Sequence, residues 1–560
     1  MTYRAPVAEM RFLLGQVLGA DRLAETARYA EATPETIEAV LGEAARLAEE
    51  VLAPLRRAGD LTPARLENGV VRTSPGFAEG YRAIAEGGWV GIAADPEHGG
   101  MGLPVAMLSC VGEMMAGANL ALSLCPLLSQ GQIEALEAHG DAGLRALYLP
   151  KLTSGEWTGT MNLTEPQAGS DVGAVRARAE DNGDGTYAVT GQKIFISWGD
   201  HDVAENVCHL VLARLPDAPA GTRGLSLFLV PKFIPDAEGR PGVRNGVRAV
   251  SLEHKLGLHG SPTAVMEYDR ATGWLVGEAH AGMAAMFTMM NNARLGVGVE
   301  GVAQAEGALQ AAVAFAHERR QGRTADGTGA IAEHADVRRM LASMRALTAS
   351  ARAICLDCAV SIDMARATGE AGWQARAAFL TPIAKAFGTD VGCEVASLAM
   401  QVFGGMGYIE ETGVAQFWRD VRVTTIYEGT NGIQAMDLVG RKLMDGGTVA
   451  RALLAGIEAT AAGVCGDRAA RMQLATARLS SATDWMLAAE AEDRNAGAVP
   501  YLRAFALALG ADYLVRGALV APERAALADF HLRHLLPEVQ SLCAAACEGA
   551  AGLRAVELAG

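Results

Sequence analysis

One carboxylate, Glu428, stands in TTIYEGTNGIQ, residues 424–434, between a β-branched and aromatic run and a Gly-Thr-Asn-Gly turn. A lone Glu beside glycine is ordinarily a solvated turn residue; held against an apolar surface, it is a candidate proton acceptor. A second segment, LTEPQAGSD at 163–171, follows a strand-like run and offers two hydroxyls, Thr164 and Ser170, on a loop whose Pro and Gly cannot continue a strand. Those hydroxyls and the loop's backbone donors can face a polar ligand, or the loop can merely connect two strands. A third, G-V-G-V-E-G at 296–301, is formally a dinucleotide fingerprint. That motif requires a strand before it and a tight turn into a helix. Here MFTMMNNAR precedes it and VAQAEGALQ follows it, so the small residues predict close approach of two helices instead.

The elements that must position these groups follow from periodicity. Apolar residues recur at threes and fours in VAEMRFLLGQVL and PETIEAVLGEAARLAEEVLAPL, so residues up to about 150 read as helical, interrupted by the loop DPEHGGMGLP at 95–104. From about 155 the texture changes to short alternating or β-branched runs, EWTGTMNL, TYAVTGQKIFIS, NVCHLVLARL and GLSLFLVPKF, separated by turns such as DNGDGT. The β unit closes near ATGWLVGE, 271–278, and helical periodicity returns after Gly282 and continues to about 400. A glycine-rich break, FGGMGYIEETG, leads into the Glu428 segment, and further helical patterns such as YLRAFALALGADYLVRGALV fill the end of the chain.

Composition bounds the function. A chain of 560 residues is too long for one core and predicts two to four packed units. Half its residues are apolar and 5% aromatic, which favours close-packed helices over an all-β protein. A net charge of −16 argues against polyanion binding as the main task, while leaving room for a polyphosphate small molecule held by a few local cations. The nine scattered cysteines read as reduced thiols of a cytoplasmic protein. Cys355 and Cys358 form C-x-x-C, and Cys543 and Cys547 lie one helical turn apart; neither pair has a second half at zinc spacing, so both predict packing and no metal. The N-terminus lacks the pattern of a signal peptide, and no uncharged stretch is expected to reach the roughly 18–20 residues of a membrane span.

Six segments, MNLTEPQAGSD, GQKIFIS, HKLGLHGSPT, the helix from Asn291 to Arg319, QVFGGMGY and IYEGTNGIQ, together resemble the acyl-CoA dehydrogenase family in order and spacing, over residues from about 40 to 443. YRAPVAEMRFLL and the long C-terminal extension resemble the larger branch, which contains 3-methylmercaptopropionyl-CoA dehydrogenase. The resemblance implies a mainly α protein with a β middle domain. Its parts are an N-terminal extension (1–40), a helical domain (41–154), a β-barrel-like domain (155–280), a four-helix bundle (281–443) and an additional helical domain (444–560). It implies FAD between the β domain and the bundle, and α,β-dehydrogenation of an acyl-CoA thioester to the trans-2-enoyl-CoA, with hydride passing to flavin N5. The acyl group could be 3-methylmercaptopropionyl or a fatty acyl chain. An electron-transferring flavoprotein is the implied acceptor and a homodimer the implied assembly. An acyl-CoA oxidase and a DNA-binding alkylation-response flavoprotein of the same fold are the alternatives.

Glu428 matches the family's base. Relatives that carry the base on the helix have it just before the arginine of the segment reading NNAR here; that position is Ala293, which takes no proton. Burial by an acyl chain should raise the Glu428 pKa toward ~6–7. Gly429 supplies the flexible backbone that lets a side chain and an N–H of one residue face the substrate. Ser170, Asn291 and Arg294 match substrate-side positions. Met161, Thr164, Phe195 and Ser197 match flavin-lining positions, and Arg319, Gln401, Gly405 and Thr430 match contacts to the FAD diphosphate or adenosine. An arginine fork suits a diphosphate. Phe195 stands where tryptophan is common and Met161 where an aromatic is common; ERRQGR, 318–323, lacks a usual phenylalanine, and Gly432 replaces a larger polar residue.

Overall fold

The computed structural model describes residues 3–558. Its middle is a seven-stranded sheet of β1 (Trp157–Asn162), β2 (Arg178–Asp181), β3 (Tyr187–Ser197), β4 (Asn206–Arg214), β5 (Leu225–Pro231), β6 (Val247–Leu252) and β7 (Thr263–Val276). Hydrogen bonding runs β6-β7-β3-β2-β4-β1, and β5 bridges β7 and β4, so the sheet closes on itself. Every residue of β5 and all but the last of β4 are buried, as strands covered on both faces require. Two further pairs lie off this sheet: Phe233–Pro235 with Pro241–Arg244, and Arg65–Glu67 with Val70–Arg72, the latter inside the region read from sequence as helical.

Four long helices carry the rest of the core: α1 (Val105–His139), α2 (Gly282–Glu318), α3 (Ala335–Thr368) and α4 (Ala371–Phe403). α1 packs on α2, and α2 and α3 both pack on α4. The G-V-G-V-E-G run lies inside α2, as its helical surroundings predicted. A side chain at Gly298 would meet the Ala384 carbonyl at 2.5 Å and one at Gly301 the Gly388 carbonyl at 2.3 Å, so these glycines let α2 and α4 touch backbone to backbone. The fourth helix of the bundle is broken into α5 (Val414–Val421) and α6 (Asn431–Asp437), and Glu428 sits in the break. The C-terminal unit adds α7 (Thr448–Ala462), α8 (Asp467–Ala488), α9 (Ala498–Val520) and α10 (Glu538–Ala546), with α9 packed on α3. Its Arg451, Arg468, Arg503 and Arg524 each face a carboxylate, which gives no support to a polyanion-binding face.

Two expectations need correction. The helix Pro34–Arg46, started by Pro34 with Thr33 as its cap, runs across the boundary expected at residue 40. An uncharged run does reach membrane-spanning length, from Met114 to Ile133. Among the described residues two helices, α1 and α9, are long and apolar enough to cross a membrane, yet their most apolar windows are 94% and 78% buried within the protein. α1 also breaks at Asn119 (φ −157°, ψ 89°), whose side chain accepts from Leu122 N at 3.2 Å and so caps the second half. The C-x-x-C thiols of α3 are both buried, as packing predicted.

The β unit is pinned to the helices at several points. Trp198 Nε1 donates to the Ala121 carbonyl at 3.1 Å, and Gly159 N donates to Ser129 Oγ at 2.9 Å. The HKLGLHG loop bonds across to α5, where Leu258 N donates to Asp420 at 2.6 Å. The neighbouring Arg419 forks onto Asp60 of the N-terminal helices at 2.7 Å from each nitrogen.

Candidate active site

Glu428 owes its position to a chain reversal that few residues tolerate. Ile426 N and Tyr427 N both close on the Val423 carbonyl, ending the 3-10 turn Arg422–Thr425 that follows α5. Glu428 then takes φ 54° and Gly429 φ 81°. The left-handed region costs an ordinary L-residue about 1–2 kcal/mol, so the surroundings must over-determine it. They do. Before the turn, the Tyr427 hydroxyl donates to Glu300 on α2. After it, Gln434 Nε2 donates to the Glu428 carbonyl at 3.0 Å, and Thr430 Oγ1 accepts from Ile433 N at 3.3 Å as the cap of α6. A Cβ at position 429 would lie 2.8 Å from Gln434 Nε2, so glycine answers both the dihedral and the contact.

The loop is also clamped from below by α4. Lys385, fully buried, donates to the Gly429 carbonyl and to Asn431 Oδ1, both at 2.9 Å, and Asn431 Nδ2 donates to Thr389 at 2.9 Å and Asp390 at 2.7 Å. Among the described residues none donates a hydrogen bond to the Glu428 carboxylate. Desolvation pushes its pKa up to about 7, opposed by the positive charges of Arg294 and Lys385. Burial lowers Lys385 itself to about 8, with Glu428 the main charge holding it up. Arg294 is 7% exposed, so it is no surface arginine. Its nearest carboxylate, Asp437, is 3.6 Å away, too far for a hydrogen bond, and its Nε has no partner among the described residues. A half-buried carboxylate near neutrality, flanked by two buried cations, can take a proton from a weak carbon acid and stabilise the negative charge that develops.

On the β side, the LTEPQAGSD loop hangs on a buried ion pair. Lys193 of β3 donates to the Leu163 carbonyl at 3.0 Å and to Glu165 Oε1 at 2.8 Å, and Glu165 also accepts from Arg176 N and Ala177 N. Ile194 N donates to the Thr164 carbonyl at 3.0 Å, which sets the half-buried Thr164 beside Phe195. Phe195 is left-handed (φ 60°), and its ring is 59% exposed at the end of a strand whose neighbours Ile196 and Trp198 are buried. Met161 and Ser197 are half-buried. An aromatic face turned outward by strained backbone, beside a half-buried hydroxyl, fits the face of a flat aromatic cofactor such as a flavin.

The other expected residues lie elsewhere. Arg319 directly follows α2, Gln401 lies in the last turn of α4 and Gly405 in the 3-10 turn after it, all exposed; Phe315 and Phe403 stack at 4.1 Å and hold those two helix ends together. Ser170 is exposed on its loop. Asn291 lies in α2, but its side chain falls outside the described residues.

Sequence reasoning missed Lys385, Gln434, Glu300 and the Lys193–Glu165 pair. Glu165, Lys193, Glu300 and Gln434 lie inside segments already singled out, and only Lys385 lies outside them, but none carried a local signal of its partner. All of them read as ordinary polar residues of a helix, strand or loop until their partners are in view.

Known proteins resemble this chain throughout. Descriptions of acyl-CoA dehydrogenase domains match residues 34–156 (N-terminal domain), 160–271 (middle domain) and 280–444 (C-terminal domain), and an acetyl-CoA dehydrogenase C-terminal-like description matches 453–557. The chain is 47% identical over 519 residues to the 3-methylmercaptopropionyl-CoA dehydrogenase of Ruegeria pomeroyi, covering 90% of this chain and 88% of that protein. It is 35% identical over 474 residues to the broad-specificity linear acyl-CoA dehydrogenase FadE5 of Mycobacterium tuberculosis, covering 81% and 77%. A crystal structure of an acyl-CoA dehydrogenase complexed with FAD from Bacillus anthracis superposes with a TM-score of 0.76 over 96% of this chain and 91% of that one, at 19% identity.

Proposed function

The chain belongs to the acyl-CoA dehydrogenase family and is an FAD-dependent enzyme acting on an acyl-CoA thioester; from this premise we propose that Glu428 is its base and that its acyl group is short and linear, 3-methylmercaptopropionyl foremost. The observation that carries the first part is the Glu428 carboxylate itself, displayed in left-handed backbone, unbonded by any described side chain, with its pKa raised to about 7. Similarity over nine-tenths of the chain to a 3-methylmercaptopropionyl-CoA dehydrogenase supports the second.

Glu428 takes the C2 proton of the bound thioester. Arg294 and Lys385 then offset the negative charge gathering at that end of the substrate. The Glu428 N–H, which no described backbone carbonyl claims, is placed by the same turn to donate to the thioester oxygen. FAD, when bound, supplies the acceptor for the C3 hydrogen and its electron pair at N5. Met161, Thr164, Phe195 and Ser197 would hold its ring system, and Arg319, Gln401, Gly405 and Thr430 its diphosphate and adenosine. Ser170 and Asn291 serve the CoA side. Electrons leave to an electron-transferring flavoprotein, a reading that slow reoxidation of the reduced flavin in air separates from an oxidase. The exposed Met406, Tyr408 and Ile409 beside Gly405 support a homodimer. All nine free thiols support a reducing, cytoplasmic setting.

The substrate reading is tested by anaerobic bleaching of the purified holoenzyme with thioesters of graded length. The expected result is fastest reduction by 3-methylmercaptopropionyl-CoA and other four- to six-atom chains; fastest reduction by a long-chain or branched acyl-CoA overturns it.

The base must be ionised to act, so kcat/KM rises with pH through about 7 and levels above it. Lys385→Met removes a cation that holds Glu428 ionised. The midpoint should move up by about one pH unit and kcat/KM at pH 7 fall about fivefold, the loss of ionised base that a one-unit rise from about 7 produces. An unmoved midpoint in the pH profile would show that Lys385 only anchors the loop.

A further inference from the structure

The reaction leaves one buried carboxyl of this site unused. Glu300 lies on α2, seven residues (300 − 293) and so about two turns beyond Ala293. It is 4% exposed. One of its oxygens accepts the Tyr427 hydroxyl, which ties it to the residue before Glu428; the other, Oε1, has no partner among the described residues. Glu300 lines a narrow cleft between α1 and α2 whose walls are otherwise dominated by apolar groups such as Leu108, Met115, Leu295 and Val299. Apolar walls with a single carboxyl among them suit the tail of a small molecule. An oxygen buried without a partner is costly, and such groups in folded proteins are paired by something.

We propose that Glu300 is a specificity-determining residue of the acyl pocket, its free carboxyl oxygen donating a hydrogen bond to an ether or thioether atom that replaces a methylene beyond C3 of the acyl chain. The inference rests on the acyl-CoA dehydrogenase reading above and names the kind of chain that site prefers. Protonation suits the role. Burial and the charge of Glu428 raise the Glu300 pKa to about 8 against the Tyr427 bond and Lys385, so at neutral pH the group is a neutral acid with an O–H to give. An all-carbon chain would leave that O–H unpaired in an apolar cleft, and a site built to bond a polar atom discriminates against the analogue lacking it. Sulfur is the weaker acceptor and an ether oxygen the stronger.

The test compares three near-isosteric thioesters on the holoenzyme: pentanoyl-CoA, 3-methylmercaptopropionyl-CoA and 3-methoxypropionyl-CoA. In Glu300→Met the ratio of kcat/KM for the thioether over pentanoyl should fall about fivefold, and that for the ether about tenfold, the worth of one modest hydrogen bond. An equal change for all three substrates overturns the proposal, because Glu300 then serves only to anchor the Glu428 loop. Should the variant not fold, infrared difference spectra of the wild-type protein decide. The carbonyl stretch of a neutral carboxylic acid should shift on binding of the methoxy ligand and not of pentanoyl-CoA, and an identical response to both overturns the proposal. A wild-type holoenzyme that reacts with none of the three overturns the parent reading and this one together.

Discussion

Glu428→Gln stays yellow and is no longer bleached by acyl-CoA. The amide keeps the size of the side chain and can occupy the same left-handed backbone (φ 54°), and the loop's anchors at Tyr427, Gln434 and Lys385 do not involve the carboxylate, so flavin content should match the parent. What is lost is, among the described residues, the group placed to take the proton. A positioned base contributes about 10²–10⁴-fold, and for an acid as weak as a C2–H no solvent base substitutes, so anaerobic reduction should slow by at least ~10³-fold. Ala293 offers no proton acceptor, and Glu300, with its pKa raised to about 8, is protonated at neutral pH and leaves the gap unfilled. Stopped-flow absorbance under anaerobic conditions is the measurement. Reduction at the parent's rate would remove Glu428 from the mechanism.

Arg352→Met should destabilise the helical core as much as the loss of a large buried side chain would. Arg352 of α3 is 3% exposed and donates to Glu113 of α1 at 2.6 and 2.8 Å and to Glu306 of α2 at 2.6 Å. Three of the four long helices therefore meet at one guanidinium. Methionine fills much of the volume but strands two carboxylates in the interior, and breaking such a buried pair costs about 3–5 kcal/mol. The midpoint of urea unfolding should fall accordingly. Neutralising the partners in Arg352→Met/Glu113→Gln/Glu306→Gln should recover most of the loss, since uncompensated charge is the cause. A single variant within about 1 kcal/mol of the parent would show the network to be hydrated and of little consequence.

The two predictions differ in how visible their residues were. Glu428 announced itself because its function and its local geometry share one stretch of chain: a reversal needs Gly429, a cap needs Thr430, and the carboxylate stands between them. The Thr164 loop and Phe195 were legible for the same reason, one in a Pro- and Gly-shaped turn and the other in an alternating strand. Arg352 looked like any helix arginine, because nothing within a few residues distinguishes a cation that faces solvent from one that faces carboxylates 46 and 239 positions away.

By itself, then, the sequence determined the order of the units, the helical identity of the G-V-G-V-E-G run, and the residues whose chemistry is written in their immediate neighbours. Tertiary structure decided the rest. It broke the fourth bundle helix at Glu428, brought Lys385 under Gly429 across 44 residues, and set Glu300 against Tyr427 across 127. The physical reason is that a pKa, a free buried oxygen or a stranded charge is a property of the surrounding medium, and burial in this chain is produced by helices that meet only after the whole chain has folded.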